Sequence, residues 1–167
     1  YNSMTNSTAS DQELDFIEVG EASFRRRIAV RARQGAAPGL IWLGGFNSDM
    51  KGTKAQALDQ WAKQQGRSCV RFDYSGHGES GGAFIDGTIG RWLEESVAVF
   101  ERFAQGPQVV IGSSMGGWMA LLLARAIAGR AATAATLAGL VLIAPAPDFT
   151  EQHLVTNGCS QLLGEVF

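Results

Sequence analysis

Three times along this chain a short apolar run ends in glycine and gives way to residues spaced as on one face of a helix. The runs are PGLIWL before Gly44 and Gly45, CVRFDY before the glycines of SGHGESGG, and QVVIGSS before Gly116 and Gly117. A strand without polar alternation has no face to offer to water, so it belongs inside a sheet covered on both sides. Helices between such strands make the sheet parallel and its crossovers right-handed. The fold class that follows is α/β, a three-layer αβα arrangement around a mostly parallel sheet. A fourth run, AGLVLIAPAP, ends at prolines and supplies a further strand.

Ahead of these, LDFIEVG and FRRRIAVRAR predict an antiparallel hairpin turning around residues 20–23. In its second strand Arg25, Arg27, Arg31 and Arg33 share one face, and Ile28, Val30 and Ala32 the other. This period of two predicts a solvated arginine face that discourages edge-to-edge pairing. With a net charge of −2, a phosphate or nucleic-acid site is the weaker reading of those arginines. For the first helix, Thr53 and Gln56 predict a capping box, with Ala57, Leu58, Trp61 and Ala62 facing inward and Gly66 closing it. The second starts after Thr88, carries Ile89, Trp92, Leu93, Ser96, Val97, Phe100 and Phe103 on one face, and stops before Gly106 and Pro107. The third is MGGWMALLLARAIAG.

Composition excludes several classes of function. Apolar residues make up 46% of 167 and charged ones 18%, which indicates a packed core. Cys69 and Cys159 stand far apart without CxxC spacing, so no zinc site or disulfide framework is expected, and Cys69 reads as a small buried residue. The sequence shows no GxxxxGK or GxGxxG and no clustered ligand set, so no metal, cofactor or nucleic acid is expected. The polar, acidic start lacks a secretory pattern, and residues 131–147 fall short of a membrane span, so a soluble protein is expected.

The chemistry concentrates at Gly112-Ser113-Ser114-Met115-Gly116. This is G-x-S-x-G between a buried strand and an apolar helix, the setting in which the central serine sits on a strained turn with its hydroxyl exposed. The glycines are needed for steric reasons, since a side chain at 112 or 116 would crowd the neighbouring strand or helix. The bland alternative is a serine that merely caps the helix. Ser113 lacks a glycine two residues before it and is expected to point away. If Ser114 is a nucleophile, its oxyanion donors are expected to be the backbone N–H groups of Met115 and of Phe46, in the glycine-opened loop GGFNSDMKG. Phe46, Phe84 and Met115 are candidates to line an apolar acyl site, and equally to pack the core.

The stretches GGFNSDMKGTKA, RFDYSGHGESGG, TIGRW and GPQVVIGSSMGGWMALLLA, spread in that order over residues 44–124, resemble the α/β-hydrolase superfamily. More narrowly, they resemble the branch that contains the mitochondrial acyl-protein thioesterase and acyl-glucuronide esterase together with bacterial relatives. The resemblance implies an esterase or thioesterase forming an acyl-enzyme on Ser114, with Phe46 and Met115 as oxyanion donors. It implies an ester or thioester substrate, small or attached to a protein, no cofactor, and a cytoplasmic location or a mitochondrial one in a eukaryote. It also implies that the loop DYSGHGES is structural, so that His77 is not the catalytic base.

A serine nucleophile needs a histidine and a carboxylate, which in this superfamily follow it in the order Ser, Asp or Glu, His. Only His77 and His153 occur, and His77 precedes the serine. Asp148 and His153 have the right order but sit too close together for two separate strand ends, and Asp148 reads more simply as a helix cap. The expected organisation is a flexible segment 1–13, a partial hydrolase core 14–150 ending after about the sixth sheet strand, and an atypical tail 151–167. On this reading the parent protein is a serine hydrolase and the 167-residue chain, lacking the catalytic histidine and acid, is weakly active or inactive alone; the alternative is a non-catalytic binding module on the same fold.

Overall fold

The computed structural model describes residues 12–128, 130 and 134–147. Strands β1 (Leu14–Val19), β2 (Arg26–Arg33), β3 (Ala36–Leu43), β4 (Arg67–Phe72), β5 (Gly106–Ser113) and β6 (Ala135–Ile143) form one sheet in the order β1-β2-β4-β3-β5-β6. The first pairings are antiparallel, β1 with β2 and β2 with β4, and β4-β3-β5-β6 is parallel. The hairpin turns through Gly20, whose φ of 86° suits glycine, and a short 3-10 turn at Ala22–Phe24.

Helices α1 (Thr53–Gln64), α2 (Ile89–Phe103) and α3 (Met115–Ala128) connect the parallel strands. From β3 to β4 the chain steps one way along the sheet; from β4 to β5 and on to β6 it steps the other way. Right-handed crossovers therefore send α1 to one face and α2 and α3 to the other. The core follows this division. Ile41, Leu43, Val70, Phe72, Trp92, Phe100, Met119 and Leu123 pack between the sheet and α2 and α3. A smaller cluster of Leu40, Trp42, Ala55, Ala62, Cys69 and Ile111 lies under α1. Cys69 is fully buried, and burial pushes its thiol up to about 12.

Three local expectations are corrected. The cap of α1 is Gly52, without a side-chain bond; Thr53 is already helical, and the Gln56 amide instead donates to the Lys51 carbonyl. The inward stripe of α1 is Ala55, Leu58, Asp59 and Ala62, while Ala57 and Trp61 are exposed. The reason lies beneath the helix. Arg33 and the buried Arg71 both bond the Asp59 carboxylate, so the face of β2 expected to be solvated is partly covered by ion pairs. Arg31 likewise pairs with Glu79, and Arg27 lies over the Phe16 ring, 3.6 Å from its centroid. Helix α2 matches its expected bounds, with the Thr88 hydroxyl accepting from the Arg91 N–H, but it also buries Glu95, which bonds Arg26.

Among the described residues β6 forms one edge of the sheet. Its end is apolar and uncovered: Val141 is 46% exposed, Leu142 and Ile143 36% each. Among the described residues no helix is long and apolar enough to cross a membrane, and no group of three or more His, Cys, Asp or Glu is placed to hold a metal.

Candidate active site

β3 and β5 are parallel neighbours, with Leu43 opposite Gly112. One leads to α1 on one face and the other to α3 on the opposite face. Their chains diverge at the carboxyl ends, and a crevice opens there, the position at which open α/β sheets bind ligands. The loop from Gly44 to Gly52 enters it from β3, and Ser114 enters it from β5.

Ser114 has a φ of 57°, a left-handed conformation rare for a residue with a Cβ. Its backbone is held from both sides. The N–H donates to Ile143 O at 3.0 Å, and the carbonyl accepts from Gly117 N at 2.9 Å and Ala146 N at 3.2 Å. Ser114 is exposed and Ser113 is buried, although Ser113 still forms part of the wall of the same cleft. The flanking glycines are obligatory by contact. A Cβ on Gly112 would run into the Gly116 carbonyl, and one on Gly116 into the Leu43 carbonyl. At Gly117 it would come within 2.7 Å of Pro145, so this glycine makes room for the end of β6. A Cβ on Gly45 would lie 3.5 Å from that of Ser114, which shows how closely the β3 loop approaches the serine.

Ser114 opens on a cleft of about 560 Å³ lined in part by Gly45, Phe46, Ser48, Thr53 and Ser113. Met115 is the first residue of α3, where N–H groups have no intrahelical acceptor and the helix dipole is positive. Its side chain, however, is fully buried in the core and not in the cleft. Phe84 also lies outside the cleft lining; its ring packs on Phe46 at 4.9 Å and on His77 at 5.1 Å. Of the three candidates for an acyl wall, Phe46 alone reaches the cleft.

His77 is 5% exposed. Its Nε2 accepts the Asn47 N–H at 3.1 Å, so the proton sits on Nδ1, which donates to Ser75 O at 3.1 Å. Burial holds its pKa below the ordinary value. With both nitrogens engaged, the ring has no lone pair left for a serine hydroxyl. Asp148 and His153 lie outside the described residues. Sequence reasoning missed Asp73, which follows β4: its carboxylate accepts the Met50 N–H at 2.7 Å and the Glu79 N–H at 2.8 Å. Burial pushes this carboxyl up, against those two amides. A Cβ on Gly78 would strike it, which explains that glycine.

The comparisons with known proteins agree with this architecture. Residues 40–167 match the family model for serine aminopeptidase, S33. The palmitoyl-protein thioesterase ABHD10, mitochondrial, of Homo sapiens is 42% identical over 94 residues, which is 56% of this chain and 31% of that protein. A presumed hydrolase from Agrobacterium vitis S4 superposes with a TM-score of 0.81 at 48% identity, over 92% of this chain and 58% of the other. The mouse alpha/beta hydrolase domain-containing protein 10 gives 0.73 at 32% identity, over 89% of this chain and 57% of its own. The chain thus spans little more than half of those structures and about a third of the human relative. Sheet order, glycine-bound serine corner and family match converge: the chain belongs to the serine aminopeptidase S33 family of α/β hydrolases.

Proposed function

We propose that this chain carries the nucleophile and the oxyanion donors of a serine hydrolase that cleaves a carboxylic ester or thioester. The observation that carries the reading is Ser114 itself, a side-chain-bearing residue in a left-handed corner, exposed at the mouth of a cleft and facing a second glycine-opened loop. Such strain persists where surrounding structure over-determines it, and it exposes the hydroxyl to an incoming carbonyl. In the reaction the Ser114 Oγ bonds the acyl carbon while a base takes its proton. The C=O π pair moves onto the carbonyl oxygen, which the Met115 and Phe46 N–H groups hold. As the double bond reforms, the C–S or C–O bond breaks and the thiol or alcohol leaves with the proton the base took. Water then repeats the addition and collapse to free the acid.

His77 is committed to two bonds, so the reading assigns the base and its carboxylate to residues beyond those described. The thioesterase names among the relatives support thioesters, including those on acylated proteins, as the substrate class. The same names support a mitochondrial setting if the chain comes from a eukaryote.

The test is labelling with a fluorophosphonate, with imidazole added as an external base, followed by mass spectrometry. The expected result is one adduct on Ser114 that disappears in Ser114→Ala. No adduct, or one that survives the substitution, overturns the reading and favours a binding module on this fold.

A further inference from the structure

Two successive peptide planes shape the loop around Phe46, and the first of them contains the Phe46 N–H. In the first, Gly45–Phe46, the Gly45 carbonyl accepts from the Ser48 N–H at 3.3 Å and from the Ser48 Oγ at 2.7 Å. In a planar trans peptide the N–H points away from the carbonyl, so turning the Gly45 oxygen toward Ser48 aims the Phe46 N–H the opposite way. In the second, Phe46–Asn47, the N–H is the one accepted by His77 Nε2. Beyond it Asn47 adopts a left-handed φ of 53° and turns the loop back toward Ser48 and Met50. One plane is thus fixed from within the loop and the next by a ring 30 residues away.

That ring is held to a degree that core filling alone does not require. Ser75 O receives both the His77 Nδ1–H and the Trp92 Nε1–H, the latter at 3.2 Å. The Ser75 N–H in turn donates to Glu95 Oε2 at 2.9 Å, and Glu95 is locked by Arg26. Tyr74, Phe84 and Trp92 pack around the imidazole at centroid distances of 5.1–5.7 Å. The Nδ1 bond fixes the tautomer, and the fixed tautomer leaves Nε2 as an acceptor for one backbone amide.

We propose that His77 is a positioning residue, which by accepting the Asn47 N–H sets the peptide plane beside the Phe46 amide and so shapes the oxyanion loop opposite Ser114. The inference rests on the reading of Ser114 as the nucleophile and Phe46 as one donor. It gives the loop SGHGESGG a task in the reaction that does not involve proton transfer.

Glutamine and asparagine separate this role from packing. With His77→Gln an amide oxygen comes near the position of Nε2; with His77→Asn it reaches only that of Nδ1. In the 167-residue chain, His77→Asn is expected to speed hydrogen exchange of the Asn47 amide about tenfold, the scale of one lost hydrogen bond. It should also slow imidazole-assisted labelling of Ser114 at saturating probe by about tenfold or more, with the half-saturating concentration unchanged. His77→Gln should keep both within about threefold of the parent chain. Equal effects of the two substitutions, or an Asn47 amide that stays protected in His77→Asn, overturn the proposal. Should His77→Asn fail to fold, His77→Gln decides alone: retained labelling supports the role, and lost labelling in a folded protein refutes it. If Ser114 of the parent chain takes no label, the nucleophile reading fails, and exchange at Asn47 still decides what His77 does.

Discussion

The two segments that meet at the cleft are built by opposite means. The corner after β5 is shaped by closeness: Gly112 lies against Gly116, Gly116 against Leu43, and Gly117 against Pro145, so neighbouring atoms fill the space a side chain would need. The loop after β3 is shaped by reach. Its amides at Asn47 and Met50 are taken by His77 and Asp73, from a different loop. A feature made by close approach is written in the sequence as glycine at fixed spacing. One made by distant acceptors leaves no mark at the place it controls.

The sharpest way to break the first arrangement is Gly116→Val. The obstacle is the Leu43 carbonyl, which cannot rotate away, so urea unfolding should show a loss of about 3 kcal/mol, the upper end for overpacking, together with loss of Ser114 labelling. The second arrangement is broken by Asp73→Ala, which strips the acceptor from the buried Met50 amide and from Glu79. A loss of about 2 kcal/mol is expected by the same measurement, and Asp73→Asn should cost less because one acceptor oxygen remains.

Ser114→Gly sharpens the comparison from the other side. It relieves the left-handed corner and should raise stability by about 1 kcal/mol while abolishing labelling, a sign opposite to that at Gly116. The smallest effect concerns pH. The folded state keeps the His77 pKa below the ordinary 6.5, so as pH falls through that value the unfolded chain takes up a proton that the folded one refuses. This contribution is complete above 6.5 and is lost as pH drops toward the folded value. Asp73 and Glu95, both pushed up by burial, act with the opposite sign in the carboxylate range. A denaturation series from pH 7.5 to about 5.5 should therefore slope less in His77→Gln than in the parent chain.

The parallel strands, the hairpin, the bounds of α2 and the corner at Ser114 were all legible because each follows from local pattern. Runs without polar alternation marked buried strands, and the spacing of Gly112 and Gly116 marked a close approach. What misled was the partner surface. The spacing Ala57, Leu58, Trp61, Ala62 suits an oily neighbour on every side, yet the helix also sits on arginines and turns Asp59 inward. The arginine alternation on β2 was real, but periodicity alone does not reveal whether charges face water or carboxylates. Met115 followed the same logic: its position after the serine speaks for its amide, while its side chain answers to the core behind the sheet.

The uncovered end of β6 bears on how the protein behaves at the bench. Among the described residues Val141, Leu142 and Ile143 form an oily rim at a sheet edge, and the strand carries no lysine or proline of the kind that discourages lateral addition of another strand. In the 167-residue chain, association through that rim is expected to make light scattering rise with concentration. A lysine in place of Val141 is the smallest change expected to keep concentrated samples clear.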